Sequence, residues 1–146
     1  MTALFEHSPW VEARADAAPS SGDRHADLMA VVYDATPDEQ LALIRAHPEL
    51  AGKAAVDRTL TDASSAEQAS AGLNHLTRQE YDRFHALNAA YRERFDFPFI
   101  ICVRLTDKAG ILAAMEQRLG NGRDEEIATA LAQIGEIVRL RLEDVA

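Results

Sequence analysis

The chain is poor in cysteine. Cys102 stands alone among 146 residues, so no intramolecular disulfide can form, and a reducing compartment is the simpler setting. No apolar run approaches the roughly 20 residues that a bilayer span needs. Basic residues are scarce beside acidic ones, 15 against 24, for a formal net charge of −9. That balance argues against nucleic acid, which calls for clustered Lys and Arg, and against docking on anionic membranes. A small anionic substrate remains open, provided that an Arg, a His or a helix N-terminus attracts it locally. The five histidines include no His-x-x-x-His pair, and there is no Cys-rich spacing, so no metal site is expected. No glycine-rich phosphate loop and no Ser-His-Asp signature is visible. Met1 to Glu6 lacks a basic stretch followed by an apolar core, and Leu142 to Ala146 matches no retention or peroxisomal address. The expected setting is cytoplasmic.

The apolar pattern that is present is helical almost throughout, and the length fits one domain, residues 1–146. Ser8-Pro9 reads as an N-cap with proline at the first helical position, opening a helix through Trp10, Val11 and Ala15. Pro19 to Asp23 reads as a loop, and Leu28, Val31 and Val32 share a face of the next helix. Thr36-Pro37-Asp38-Glu39 starts a helix carrying Leu41, Leu43 and Ile44, which should stop at about His47 because Pro48 follows. Ala51 to Ala63 reads as a polar connection, and Ser64 to Leu73 as a short helix with Gly72 near its end. Thr77 starts a longer helix with Tyr81, Phe84, Asn88, Tyr91 and Phe95 at helical spacing. Phe97-Pro98-Phe99-Ile100-Ile101-Cys102-Val103 is too short and too proline-marked for a helix and reads as a buried extended segment. Thr106-Asp107 caps a helix through Ile111, Leu112, Met115 and Leu119, ending at Gly120-Asn121-Gly122. The last helix places Leu131, Ile134, Val138 and Leu142 on one face. The expected fold is all-α: an irregular bundle of about seven or eight helices crossed by one extended segment, 97–104.

Three constellations could carry chemistry. His47 sits at a helix C-terminus, whose partial negative charge favours an imidazolium. Its unperturbed pKa of about 6.5 suits proton transfer near neutrality. The plainer reading is a helix-ending histidine bonded to the last carbonyls. Ser64-Ser65-Ala66-Glu67 fits a capping box, a device the chain also uses at Thr36/Glu39 and Thr77/Glu80. A first-turn Glu67 facing a pocket could instead orient a polar substrate, with the Gln68 amide beside it as donor and acceptor. The segment from Phe97 to Arg104 has no sheet partner, so its peptide groups must pair elsewhere, and a heterocycle rich in amides could supply that pairing. Arg104 is a candidate carboxylate clamp through its planar fork. Cys102, in an apolar run, reads as a buried small hydrophobe, and Asn88 is expected to bond backbone.

Six blocks in order resemble the 2-oxo-4-hydroxy-4-carboxy-5-ureidoimidazoline (OHCU) decarboxylases of urate degradation. They are Phe5 to Val11, His47-Pro48-Glu49-Leu50-Ala51-Gly52-Lys53, Ser64-x-x-Glu67-Gln68-x-x-x-Ala71-Gly72-Leu73, Leu87-Asn88-x-x-Tyr91, Arg94 to Arg104, and Arg139-Leu140-Arg141-Leu142. Asp96 departs from the pattern, where the family's Phe-Gly-Phe-Pro-Phe string would have glycine. The resemblance implies a carboxy-lyase that needs no cofactor and converts OHCU to (S)-allantoin and carbon dioxide. It implies a homodimer and a functional link to the upstream 5-hydroxyisourate hydrolase. His47 would be the catalytic proton donor and Glu67 its catalytic companion. Pro48, Ser64, Ser65, Ala66, Glu67, Gln68, Phe99, Ile100, Ile101, Cys102, Val103 and Arg104 would form the substrate pocket. The competing expectations are a non-catalytic helical interaction domain that keeps the fold, and a metal- or haem-binding bundle.

Overall fold

Short-range capping sets most helix starts in the computed structural model, which describes residues 4–5, 8–47, 50, 62–73 and 76–145, with the backbone alone at 62–65 and 145. Among these residues there are seven α-helices: α1 (Trp10–Ala17), α2 (Arg24–Asp34), α3 (Pro37–Arg45), α4 (Asp62–Ser70), α5 (Arg78–Phe95), α6 (Lys108–Arg118) and α7 (Arg123–Val145). No strand occurs among them, and the fold is all-α as expected. Thr36 and Thr77 each accept from the backbone N–H three residues on, while Glu39 and Glu80 reach back, so both capping boxes form. Asp23 and Asp107 cap α2 and α6 through their carboxylates. Gly72, at φ 83°, closes α4: the Leu73 N–H donates to the Gln68 carbonyl at 3.0 Å and the Gly72 N–H to that of Ala69 at 3.0 Å. Only glycine takes that left-handed step without cost.

Some expected boundaries move. Pro9, not Ser8, occupies the cap position of α1, and no side chain caps it. Helix α3 stops at Arg45, and His47 follows the Ala46 cap. The start of α4 is Asp62, so Asp62 and Ala63 are helical and Ser64 lies within the helix instead of capping it. The extended segment is shorter than expected, because Val103–Leu105 winds into a 3₁₀ turn.

The longest helix, α7, packs against α2 and α3, and α5 packs against α6. Gly135 allows the close approach of α2: a Cβ there would stand 3.1 Å from Met29 Cε. The core runs through Leu28, Val32, Ile44, Phe84, Tyr91, Ile111, Met115, Ile134 and Val138, all essentially buried. The stripe on α5 holds the next segment in place. The Tyr91 ring meets Phe97 and Phe99 edge-on at 5.9 and 5.2 Å, an arrangement the ring quadrupoles favour. Residues 97–102 therefore enter the interior without belonging to a helix or sheet, and they end where the 3₁₀ turn meets α4.

Candidate active site

Helix α3 delivers His47 to the rim of this interior. Its Nδ1 lies 2.9 Å from the Leu43 carbonyl oxygen, one turn back. A carbonyl can only accept, so Nδ1 carries the hydrogen, and Nε2 is the nitrogen that gains or releases a proton. The ring bonds a terminal carbonyl, as the plainer reading expects, and His47 also lines a cavity.

That cavity encloses about 470 Å³ of empty space, counting its open mouth. His47 and Leu50 lie on one side, and Glu67 and Gln68 of α4 reach it as well. Residues 99–104 form a continuous wall, and α7 adds Ile137 and Arg141. Ala66 is exposed and does not line the cavity. On a helix, adjacent residues point about 100° apart, so the face that presents Glu67 and Gln68 turns Ala66 outward. Pro48 lies outside the described residues, as do the side chains of Ser64 and Ser65.

Glu67 does not cap α4. Its carboxylate accepts two hydrogen bonds from Arg141, from Nε at 2.8 Å and Nη2 at 2.6 Å. Arg141 is buried and Glu67 largely so, with 4 % and 13 % of their side chains exposed. Arg141 also donates to the Leu4 carbonyl at 3.2 Å. Arg104 pairs in the same bidentate way with Asp144 near the end of α7, at 2.8 and 3.1 Å. The Asp144 carboxylate beside it raises the pKa of the guanidinium. Both cavity arginines therefore hold carboxylates. Charge-assisted forks of this kind are strong and geometrically specific.

The peptide groups of the wall are partly satisfied from behind. The Ile100 carbonyl accepts from Arg118 at 2.7 Å, and the Cys102 N–H donates to the Gln133 side chain at 2.8 Å. The Cys102 and Val103 carbonyls accept from the Leu105 and Thr106 N–H groups. Side chains and turn bonds within the protein thus supply part of the pairing that a sheet partner would give. Cys102 is buried, and burial pushes its thiol pKa up. Asn88 bonds backbone as expected, donating to the Leu50 carbonyl at 2.8 Å. It fixes a cavity residue close to His47.

Leu50, Ile137 and Arg141 were not singled out as site residues from the sequence. Arg141 had a readable signal: it continues the core-facing period of α7 three residues beyond Val138 and seven beyond Ile134. A cation at such a position must find a buried partner. Among the described residues no three His, Cys, Asp or Glu side chains gather as a metal site, and no helix is long and apolar enough to cross a membrane.

Comparison with known proteins bears on the chain as a whole. A sequence model described as OHCU decarboxylase matches residues 1–143. The 2-oxo-4-hydroxy-4-carboxy-5-ureidoimidazoline decarboxylase of Haloferax volcanii is 43 % identical over 145 residues, covering 97 % of this chain and 83 % of that protein. The uric acid degradation bifunctional protein PucL of Bacillus subtilis is 40 % identical over 97 % of this chain, which spans only 28 % of PucL. Among solved structures, an (S)-allantoin synthase superposes with a TM-score of 0.69 at 30 % identity, covering 97 % of this chain and 46 % of that one. An OHCU decarboxylase crystallised in the presence of (S)-allantoin shares the fold, with a TM-score of 0.73 at 18 % identity, covering 94 % and 91 % of the two chains.

Proposed function

The chain belongs to the OHCU decarboxylase family, and we propose that its cavity converts OHCU to (S)-allantoin and carbon dioxide with His47 as the proton donor. It is a carboxy-lyase of urate degradation. The bond to the substrate's carboxylate breaks, carbon dioxide leaves, and the electron pair stays on the ring. The neighbouring unsaturated nitrogen system delocalises that pair, so the electron sink belongs to the substrate. One proton must then reach a ring carbon from one face. The protein's tasks are to orient the carboxylate, stabilise developing charge and deliver that proton.

The residues divide these tasks. His47, its tautomer set by the Leu43 carbonyl, presents Nε2 as the proton-transferring atom. Glu67 accepts from the substrate's ureido or hydroxyl hydrogens while the bidentate bond from Arg141 keeps it aimed. Gln68 matches an amide edge with a donor and an acceptor. Arg104 clamps the carboxylate by exchanging Asp144 for the substrate, one carboxylate for another. Phe99, Ile100, Ile101 and Val103 exclude water and strengthen these interactions. The observation that carries this reading is the convergence of His47 and the Glu67–Arg141 pair on one cavity.

The reading extends to one domain over 1–146, acting as a cytoplasmic homodimer. The reading includes a functional link with the 5-hydroxyisourate hydrolase that supplies OHCU; the match to one part of a bifunctional uric acid degradation protein supports a link to another step of that degradation without naming it. The test is to generate OHCU in situ from urate, add the protein, and follow absorbance and the circular dichroism of allantoin. Faster decay with one enantiomer in excess is expected. His47→Ala should lose about 10²–10⁴-fold in catalysed rate with helicity retained. An unchanged time course with wild-type protein would instead favour a non-catalytic interaction domain.

A further inference from the structure

Arg118 of α6 lies outside the cavity, yet its side chain is only 9 % exposed and rests against Glu126 of α7, which is 0 % exposed. A buried ion pair is a poor source of stability, because desolvation offsets the attraction. What this pair holds is more telling. Glu126 accepts three hydrogen bonds: Oε1 from Arg118 Nε at 2.8 Å and from the Tyr91 hydroxyl at 2.6 Å, and Oε2 from Asn121 at 2.8 Å. The guanidinium so fixed lies 4.3 Å from the Phe99 ring centre and donates from Nη1 to the Ile100 carbonyl at 2.7 Å. From α7, Gln133 takes the Cys102 N–H at 2.8 Å.

These two bonds grip the cavity wall from behind. Residues 97–102 belong to no helix or sheet, so no ladder of backbone bonds sets their position. The geometry points to Arg118 and Gln133 as positioning residues for the decarboxylation: without touching substrate, they fix where the Phe99–Val103 wall stands relative to His47. A misplacement of about 1 Å can cost about 10²-fold in rate. The inference rests on the cavity being the decarboxylation site.

Arg118→Lys keeps a charge for Glu126 but lacks the fork that also reaches the Ile100 carbonyl. Gln133→Leu removes the acceptor for Cys102 without touching the ion pair, and decides the matter should Arg118→Lys fail to fold. Val32→Ala on α2, a buried core truncation far along the chain from either anchor, controls for lost stability. Two readouts are taken well below each melting temperature: kcat/KM for OHCU per folded molecule, and amide hydrogen exchange across 99–103. Both anchor variants should exchange at least tenfold faster there and lose at least tenfold in kcat/KM, while Val32→Ala matches wild type in both. Unchanged exchange in the folded anchor variants, or faster exchange with wild-type kcat/KM, overturns the proposal. If the wild-type protein itself leaves OHCU decay unaltered, the decarboxylase reading falls, and exchange alone then judges the anchoring.

Discussion

Glu67→Ala deletes both bonds from Glu67 to the Arg141 guanidinium, a group only 4 % exposed. Removing one partner of a buried ion pair costs about 3–5 kcal/mol, since the other charge keeps its desolvation penalty. Glu67 is itself 13 % exposed, and Arg141 retains its bond to the Leu4 carbonyl. Those two facts place the expected loss near the lower end, about 3 kcal/mol. In a domain of this size, 1 kcal/mol moves the melting temperature by about 2–4 °C, so the expected drop is about 6–12 °C. A lost helix cap would cost only about 1 kcal/mol, or about 2–4 °C. The two accounts of Glu67 therefore separate in one thermal melt. Glu67→Gln keeps an acceptor for one guanidinium N–H and should fall between wild type and Glu67→Ala. OHCU turnover, measured well below the melting transition, decides the chemical role: both variants should lose it. A drop under about 4 °C would refute the energetic reasoning. A full drop with wild-type turnover would refute the catalytic one.

Thr77→Ala should lower stability by about 1 kcal/mol through loss of the α5 capping box, and leave turnover per folded molecule unchanged, as a urea titration with parallel assays would record. On the acid side, the Arg14 guanidinium and the Thr36 N–H hold the Glu39 carboxyl at about 2, against 4.5 when free. The folded state then binds fewer protons, so this contribution is complete above about pH 4.5 and fades as pH falls towards 2. Glu80, lowered by the Thr77 N–H and Lys108, and Asp27, lowered chiefly by Ser21, add slope of the same sign. Denaturation midpoints measured across that range should decline in wild type and decline less in Arg14→Met. Burial raises the Cys102 pKa, so iodoacetamide at neutral pH should modify it far more slowly than a free thiol, becoming competitive only on unfolding.

The parts of the molecule legible in its sequence are those decided within a few residues. Thr36/Glu39 and Thr77/Glu80 cap because donor and acceptor lie three residues apart, and the same locality makes Gly72 a helix stop. Asp96 shows how local geometry can also explain a departure. It sits at φ 63°, ψ 30° just after α5, in the left-handed region where glycine is most at ease. Aspartate is among the few other residues that tolerate it, and here its carboxylate meets Arg45 at 2.8 Å.

Ser64-x-x-Glu67 carries the same letters as a capping box, yet the helix begins before it, and Glu67 finds its partner 74 residues away in Arg141. Arg118 and Glu126 are as opaque: on neighbouring helices they read as ordinary surface charges until packing removes the water around them. What the sequence did offer was a rule of exception. Asn88 and Arg141 each occupy a position that the helical period of their apolar neighbours assigns to the core, and each is bonded to something distant. A polar group at a core position is favoured to find a partner, since leaving it bare costs about 1–3 kcal/mol. Such exceptions mark where a helical protein has committed its buried hydrogen bonds, and here those bonds converge on the walls of a single cavity: Leu50 through Asn88, Glu67 through Arg141, and Ile100 through Arg118 and Glu126.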